Sequence, residues 1–300
     1  MKPTIECVMI VKNESEVLDR CLQSVRDADK ITIVDTGSED NTIEIAKKYT
    51  PNVYNDFTWC DSFQKARNHA LSKATCDWVL SIDADEWCHD FSKVRESVEK
   101  AHEKGYLALD VALFAKNNGQ LHYFPRLFKR DPAVWWEGDV HNHVSVRPDD
   151  TSTVEITYGY SPAHLKDPNR AMRILQKVVD ETQNPREMFY LGREFWYRRW
   201  YEQCVQMLGR YVQKSGYLAE KADAFLIMAQ CYWALGMGND ARDACAQCLV
   251  INANFKDAIL FMAQIAGDGS GNAEWQANAD QWKRMAATAT NERVLFASTQ

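Results

Sequence analysis

The strongest constraint on this chain is an alternation of apolar, strand-like runs with helical patterns in its N-terminal third. Residues 5–11, 31–35 and 78–83 are nearly continuous apolar runs, which are typical of strands buried on both faces. Between them, residues 13–25 and 62–73 place apolar side chains at helical spacing. Strands separated by helices in this way form parallel sheets with helices on both faces. The pattern predicts an α/β domain, and ligands of such sheets bind beyond the carboxyl ends of the strands.

Acidic residues stand at that edge of the predicted sheet. Asp35 ends the second strand, and Asp83 ends the third and begins the sequence Asp83-Ala84-Asp85-Glu86. If the chain stays extended there, the carboxylates of Asp83 and Asp85 point to the same side of the backbone. Carboxylates and substrate phosphates are the ligands that Mg²⁺ and Mn²⁺ prefer. A polar turn after a strand has the same composition, so the acid pair alone does not establish a metal site.

The sequence changes character after Asp85. A helix is predicted over residues 92–104, and residues 106–115 and 122–129 have the composition of strands added antiparallel to the sheet. The segment 135–146 is aromatic, charged and rich in histidine, which is unusual for a plain connection.

The second half of the chain shows only helical patterns. Met228-Ala229-Gln230 recurs as Met262-Ala263-Gln264 after 34 residues, and Leu191-Gly192-Arg193 occupies the comparable place one unit earlier. Helix pairs at a period near 34 residues resemble tetratricopeptide repeats. We predict an α/β domain over residues 1–165 and an all-α, tetratricopeptide-like domain over residues 166–300. An irregular helical bundle is the alternative for the second domain.

Charge is distributed unevenly between these halves. The net charge is −7; residues 1–165 carry −8 (19 Lys and Arg, 27 Asp and Glu), and residues 166–300 carry +1 (16 and 15). An acidic N-terminal half does not predict binding to the phosphate backbone of a nucleic acid.

No targeting or membrane segment is predicted. Apolar runs are too short for a transmembrane helix, and Met1–Cys7 lacks the apolar core of a signal peptide, so we expect a cytoplasmic protein. The nine cysteines are scattered without a disulfide framework. Cys245-x-x-Cys248 has no second pair nearby, so we interpret it as helix packing.

Four segments of the N-terminal half together resemble the family 2 glycosyltransferases. They are Val8–Glu14, Ile33–Thr42, Ala66–Ala70 and Trp78–Glu86. The resemblance implies a GT-A fold, in which a nucleotide-binding sheet carries a DxD-type metal motif, here Asp83-Ala84-Asp85. Trp136–His141 and the helical half are similar to a bacterial subgroup with tetratricopeptide-like C-terminal domains, which includes peptide S-glycosyltransferases.

The resemblance also implies roles for individual residues. Donor contacts fall on Asn13, Glu14, Asp35, Arg67, Asn68 and Asp83. Arg126 and Arg130 flank a predicted strand near residues 135–146, and their position makes them candidates to meet the diphosphate; solvated charges at the strand ends are the alternative. A divalent cation, Mn²⁺ or Mg²⁺, is implied on Asp85 as the direct carboxylate ligand. His141 and His143, which share one face if residues 135–146 form a strand, are candidates to complete the metal shell. The family's preference makes a UDP-linked hexose the expected donor.

The acceptor side departs from the family pattern. His141 matches a histidine that in this subgroup is followed by glutamate, whereas Asn142 follows here. Because a carboxamide cannot act as the proton acceptor, the candidate bases are Asp139, Glu137 and His143. His164, near the predicted domain junction, is a candidate for closing over the site.

These expectations combine into an inverting, metal-dependent glycosyltransferase. Its helical domain is expected to recruit the acceptor or a second copy of the chain, because repeat helices build concave binding surfaces. The acceptor is left open among a peptide, a glycan, a small molecule and a nucleic-acid base. Nucleotidyl transfer is the alternative enzyme class, but it needs a glycine-rich loop where this chain has Lys12-Asn13-Glu14. A binding protein that has lost activity is the third hypothesis, since it would explain Asn142.

Overall fold

The computed structural model describes residues 2–117, 119–163, 167–267 and 273–289. The chain forms two compact units, Met1–Arg170 and Ala171–Gln300. The first is built on a mixed sheet with helices, and the described part of the second contains only helices. The predicted fold class, a mixed α/β domain followed by an all-α domain, is therefore confirmed. His164 lies outside the described residues.

The N-terminal unit is organised around an eight-stranded sheet with the order β3-β2-β1-β4-β7-β6-β10-β5. Its strands are β1 (Ile5–Val11), β2 (Lys30–Asp35), β3 (Val53–Tyr54), β4 (Trp78–Ser81), β5 (Glu86–Cys88), β6 (Ala108–Ala115), β7 (Leu121–Lys129) and β10 (Asp150–Tyr158). A separate hairpin consists of β8 (Trp136–Glu137) and β9 (His143–Val144). Strands β1 to β4 are parallel, whereas β7 pairs antiparallel with β4 and β6. The carboxyl ends of β1, β2 and β4 consequently meet at one edge.

Helices bury both faces of this sheet. They are α1 (Leu18–Ser24), α2 (Thr42–Ala46), α3 (Phe63–Ser72) and α4 (Phe91–Lys104). Successive side chains of β1 point to opposite faces of the sheet. Cys7 lies in the same hydrophobic core as Leu22 of α1 and Val98 of α4. Val8 lies in a second core, together with Ala70 of α3. Burial on both faces explains why the strands are apolar runs without polar alternation.

Three local features differ from the sequence-based expectations. Strands β5 and β10 were not predicted, because β5 is very short and the first half of β10 is largely exposed and polar. The chain at Asp83 is not extended: the amide of Glu86 donates to the Asp83 carbonyl at 3.0 Å and closes a turn. Residues 135–146 are not one strand, since Gly138 adopts a φ of 89° and begins a loop between β8 and β9. His141 lies in that loop, so the expected shared strand face with His143 is not formed.

The second unit is a series of helical hairpins. Helix α5 (Arg170–Thr182) begins at the last residue of the first unit and continues into the second. It is followed by α6 (Pro185–Tyr197), α7 (Tyr201–Lys214), α8 (Leu218–Ala234), α9 (Gly238–Ile251), α10 (Lys256–Gly267) and α11 (Ala273–Thr288). Helices α6 and α7, α8 and α9, and α10 and α11 pack as successive pairs. The first helices of these pairs begin at Pro185, Leu218 and Lys256, that is, 33 and 38 residues apart. The recurring sequence triplets lie inside α6, α8 and α10.

In the described part of the chain, which contains all nine cysteines, no disulfide is formed, and Cys245 and Cys248 are buried in α9. Across the described ranges, no helix combines the length and the apolar character needed to cross a membrane.

Candidate active site

Asp35 is a buried carboxylate at the carboxyl end of β2, and it is 3% exposed. Its Oδ2 accepts hydrogen bonds from the amides of Gly37 and Ser38, both at 3.0 Å. Gly37 has a φ of 108°, a conformation that favours glycine and turns these amides toward the carboxylate. Oδ1 is buried and has no hydrogen-bond partner among the described residues. Because an unsatisfied buried oxygen is costly, this atom is available to a polar group of a ligand.

Asn13 connects the loops that follow β1 and β2. It adopts a φ of 58°, which asparagine tolerates better than most residues. Its amide donates to Ser38 Oγ at 2.9 Å, and its Oδ1 accepts from the amide of Glu39 at 2.8 Å. Asn13 therefore shapes the edge on which Asp35 lies, and its contact with a donor stays a prediction.

Glu14 lies partly buried in the same loop, ahead of α1, which begins only at Leu18. Burial raises the pKa of Glu14, and the Asp83 carboxylate adds to the shift, while a hydrogen bond from Ser161 opposes it. Its Oε2 is buried, and no residue in the described ranges forms a hydrogen bond with it. The side chain therefore points into the group of acids and is not a simple helix-start charge.

Asp83 is held between two arginines. Arg67 Nη2 donates to Asp83 Oδ1 at 2.7 Å, and Arg126 Nη2 donates to Oδ2 at 3.0 Å. Burial by itself would raise the pKa of Asp83, but the two guanidinium groups outweigh it and hold the pKa well below its usual range. Arg126 also donates to Glu86 Oε1 at 3.0 Å, and Glu86 Oε2 accepts the amide of Asp83 at 2.8 Å. The predicted donor contacts Arg67 and Arg126 are thus both turned toward Asp83.

Asp85 has the opposite environment, although it is only two residues further along the turn. Burial raises the pKa of Asp85 to about 7, and the nearby carboxylates of Asp83 and Glu14 add to the shift. The Asp85 carbonyl accepts from the amide of Gly159 at 2.9 Å, and a Cβ on Gly159 would lie 3.3 Å from that oxygen. Asp83 and Glu14 thus place negative charge beside Asp85, which favours the binding of a proton or another cation there.

The described residues do not provide a complete set of protein ligands for a divalent cation. Among the residues that the structure describes, no group of three or more His, Cys, Asp and Glu side chains could hold a metal. Mg²⁺ is commonly bound by one or two carboxylates together with substrate phosphates. Since Asp83 is paired with arginines, Asp85 is the carboxylate of the motif suited to this role. His141 and His143 do not join Asp85 in such a group.

The hairpin of β8 and β9 is anchored on α3. Asn68 Nδ2 donates to the Trp136 carbonyl at 2.9 Å, and the Trp136 amide donates to Asn68 Oδ1 at 2.8 Å. Asp139 accepts a hydrogen bond from the hydroxyl of Ser62, and its carbonyl accepts from the amide of Phe63 at 3.0 Å. Asn68 therefore has a structural role, and the Asp139 side chain is engaged at the start of α3.

Glu137 and His143 face each other across this hairpin. Glu137 Oε2 lies 3.3 Å from His143 Nε2, and Glu137 Oε1 accepts from the indole of Trp135 at 3.1 Å. The two side chains are 43% and 35% exposed. Two of the three predicted bases thus form one solvent-exposed pair.

Sequence reasoning missed several residues that shape the site. Glu86 is the last residue of the acidic motif, and its position directly after Asp83-Ala84-Asp85 could have indicated that it belongs to the site. No sequence motif identifies Ser62, Ser161 or Gly159. Only the tertiary fold places Ser62 beside Asp139, Ser161 beside Glu14 and Gly159 beside Asp85.

The site and the fold agree with the comparison to known families. The description "Glycosyl transferase family 2" matches residues 6–174, which is more than half of the chain. The chain belongs to this family.

Two curated relatives and one solved structure illustrate the similarity. The glycosyltransferase SunS of Bacillus subtilis is 29% identical over 209 residues, which are 64% of this chain and 49% of SunS. A TPR repeat-containing protein of Synechococcus elongatus is 34% identical over 145 residues, which are 47% of this chain and 35% of that protein. The chain thus spans half or less of the length of these relatives. S. aureus TarS residues 1–349 in complex with UDP is 12% identical, with a TM-score of 0.47, over 85% of this chain and 91% of TarS 1–349.

Proposed function

We propose that the protein transfers a hexosyl group from a UDP-linked donor to an acceptor, with inversion at the anomeric carbon and with a divalent cation. Family membership supports glycosyl transfer. The observation that carries the donor side is the contrast between Asp83, which is ionised between two arginines, and Asp85, whose carboxylate has no arginine hydrogen-bonded to it in the described structure.

The donor lies, in this proposal, along the carboxyl ends of β1, β2 and β4. Asp35 Oδ1 accepts a hydrogen bond from the nucleoside, because no donor within the described part of the chain reaches this buried oxygen. Arg67 and Arg126 place positive charge beside the diphosphate and stabilise its developing negative charge as it leaves. Asp85 would hold Mn²⁺ or Mg²⁺, which supplies further charge neutralisation of the leaving diphosphate.

The acceptor nucleophile attacks the anomeric carbon on the face opposite the diphosphate. The bond between that carbon and the diphosphate oxygen breaks as the new bond forms, which inverts the configuration. The proton of the acceptor nucleophile passes to the pair of Glu137 and His143. This pair is exposed, whereas the Asp139 carboxylate is hydrogen-bonded to Ser62.

A donor-hydrolysis screen tests the proposal. Purified protein is incubated with UDP-, GDP-, ADP- and CDP-linked sugars, with Mn²⁺, with Mg²⁺ and with a chelator, and nucleotide release is followed. We expect metal-dependent release from a UDP-hexose, and loss of that release in Asp85→Ala with an unchanged circular-dichroism spectrum. Intact-mass analysis of candidate acceptors then identifies the acceptor class. Equal release by Asp85→Ala and wild type, or equal release with the metal chelated, would contradict the metal role.

A further inference from the structure

Arg67 contacts two parts of the site at once. Its Nη2 lies 2.7 Å from Asp83 Oδ1, while its Nε donates to Asn142 Oδ1 at 3.3 Å. The side chain is 11% exposed, and its guanidinium lies 5.0 Å from the centroid of the Trp136 ring. Arg67 therefore links the acids that follow β4 to the loop between β8 and β9.

That loop holds Asn142 in place independently of Arg67. Gly138 has a φ of 89°, and a Cβ on it would lie 3.1 Å from the carbonyl oxygen of His141. The Asn142 amide donates to the Val140 carbonyl at 3.0 Å, and the Gly138 amide donates to Gln64 Oε1 at 3.0 Å. A tight loop anchored on α3 thus presents the Asn142 side chain to Arg67.

The chemistry of its two neighbours determines how the Asn142 carboxamide is oriented. Its Nδ2 donates to the Gly138 carbonyl, which can only accept, and its Oδ1 faces Arg67 Nε, which can only donate. A carboxylate of the same shape would set an acceptor against the Gly138 carbonyl and add a negative charge beside Arg67. The position therefore suits a neutral side chain with one donor and one acceptor.

We propose that Asn142 is a positioning residue for donor binding, which orients Arg67 without neutralising its charge. The inference rests on the proposed function, because it assigns Arg67 to the donor diphosphate in addition to its ion pair with Asp83. Asn142 accepts a hydrogen bond from Nε of the Arg67 guanidinium. The Nη edge of the same group therefore faces Asp83 and, in this proposal, the diphosphate. A carboxylate at residue 142 competes with the diphosphate for Arg67. The residue that breaks the expected acceptor-side pattern thereby belongs to the donor side.

Calorimetric titration of the intact chain with UDP and with uridine, at constant Mn²⁺, tests the proposal. We expect Asn142→Asp to weaken UDP binding about tenfold, the scale of one lost charge-assisted hydrogen bond, and Asn142→Ala to weaken it by a smaller factor. Uridine affinity should not change in either variant, because uridine has no diphosphate. Asn55→Asp, which adds the same charge at an exposed position, should bind UDP as wild type does. Unchanged UDP affinity in Asn142→Asp overturns the inference.

A measurement without nucleotide distinguishes failure of this inference from failure of the proposed function. In protein labelled with ¹⁵N-arginine, the Nε–H signal of Arg67 is identified by its loss in Arg67→Lys. We expect this proton to exchange slowly with solvent in wild type and faster in Asn142→Ala. Equal exchange rates overturn the inference whether or not UDP binds. Faster exchange in Asn142→Ala, combined with no nucleotide binding by wild type, contradicts the proposed function alone.

Discussion

Asn68 and Trp136 exchange two hydrogen bonds, at 2.9 and 2.8 Å, so that an asparagine side chain on α3 takes the place of a neighbouring strand for β8. Trp136 is 2% exposed, and its ring packs against Phe128. This contact attaches the β8–β9 hairpin, with its candidate bases, to the sheet domain.

Asn68→Ala should therefore destabilise the protein. The change leaves the buried amide and carbonyl of Trp136 without partners, which typically costs about 1–3 kcal/mol for each group. We expect a lower midpoint in urea unfolding followed by tryptophan fluorescence. Lys65→Ala, at an exposed position of the same helix, is the control and should leave the midpoint unchanged. Equal midpoints for both variants would show that the paired hydrogen bonds contribute nothing.

Asp85→Asn should abolish metal-dependent turnover while the fold remains intact. A carboxamide is a poor ligand for Mn²⁺, and loss of a charged metal ligand is expected to lower turnover by roughly 100-fold or more. Nucleotide release measured over a range of Mn²⁺ concentrations checks this. Glu44→Gln, an exposed acid on α2, provides the matched control and should retain activity. Activity in Asp85→Asn that saturates at the wild-type Mn²⁺ concentration would exclude Asp85 as the ligand.

The same substitution should change how stability depends on pH. The pKa of Asp85 is about 7 in the folded protein and near 3.8 when unfolded, so the folded state binds more protons between these values. Ionised Asp85 therefore costs stability, and this cost grows as pH rises from about 4 to 7. We expect Asp85→Asn to melt at a higher temperature than wild type at pH 8 and at a similar temperature near pH 4. A constant difference across this range would contradict the raised pKa.

Gly192 allows close packing of α6 on α7 in the helical unit. A Cβ on Gly192 would lie 2.4 Å from Leu208 Cδ2, whereas a Cβ on Gly209 of α7 would have no atom of the described residues within 4 Å. Gly192→Ala should destabilise by about 1–3 kcal/mol through overpacking. Gly209→Ala should instead stabilise by roughly 0.5–1 kcal/mol, because alanine favours helix. Calorimetric melting compares the two, and Leu208→Ala should reduce the cost of Gly192→Ala. Similar effects of both alanines would refute the packing argument.

The alternation of apolar runs and helical patterns determined the class of the N-terminal domain. Strands that are buried on both faces must be apolar throughout, and helices connect the parallel strands. Both features can therefore be recognised from short stretches of sequence. The same reasoning placed Asp35 and Asp83 at one edge of the sheet, where the structure has them. The recurring triplets likewise fall inside α6, α8 and α10, the first helices of the three packed pairs. Strands β5 and β10 escaped prediction, because short or exposed strands lack a distinct pattern.

Only the tertiary structure decided what each acid of the Asp83-Ala84-Asp85-Glu86 motif contacts. Arg126 meets Asp83 from 43 positions further along the chain, and Asn142 meets Arg67 from 75 positions further along. No local spacing rule encodes such contacts, because they depend on how β7 and the β8–β9 loop pack beside β4. The sequence by itself thus determined which residue types gather at the sheet edge. The long-range packing decided that Asp83 is paired with Arg67 and Arg126, and that Asn142 is hydrogen-bonded to Arg67.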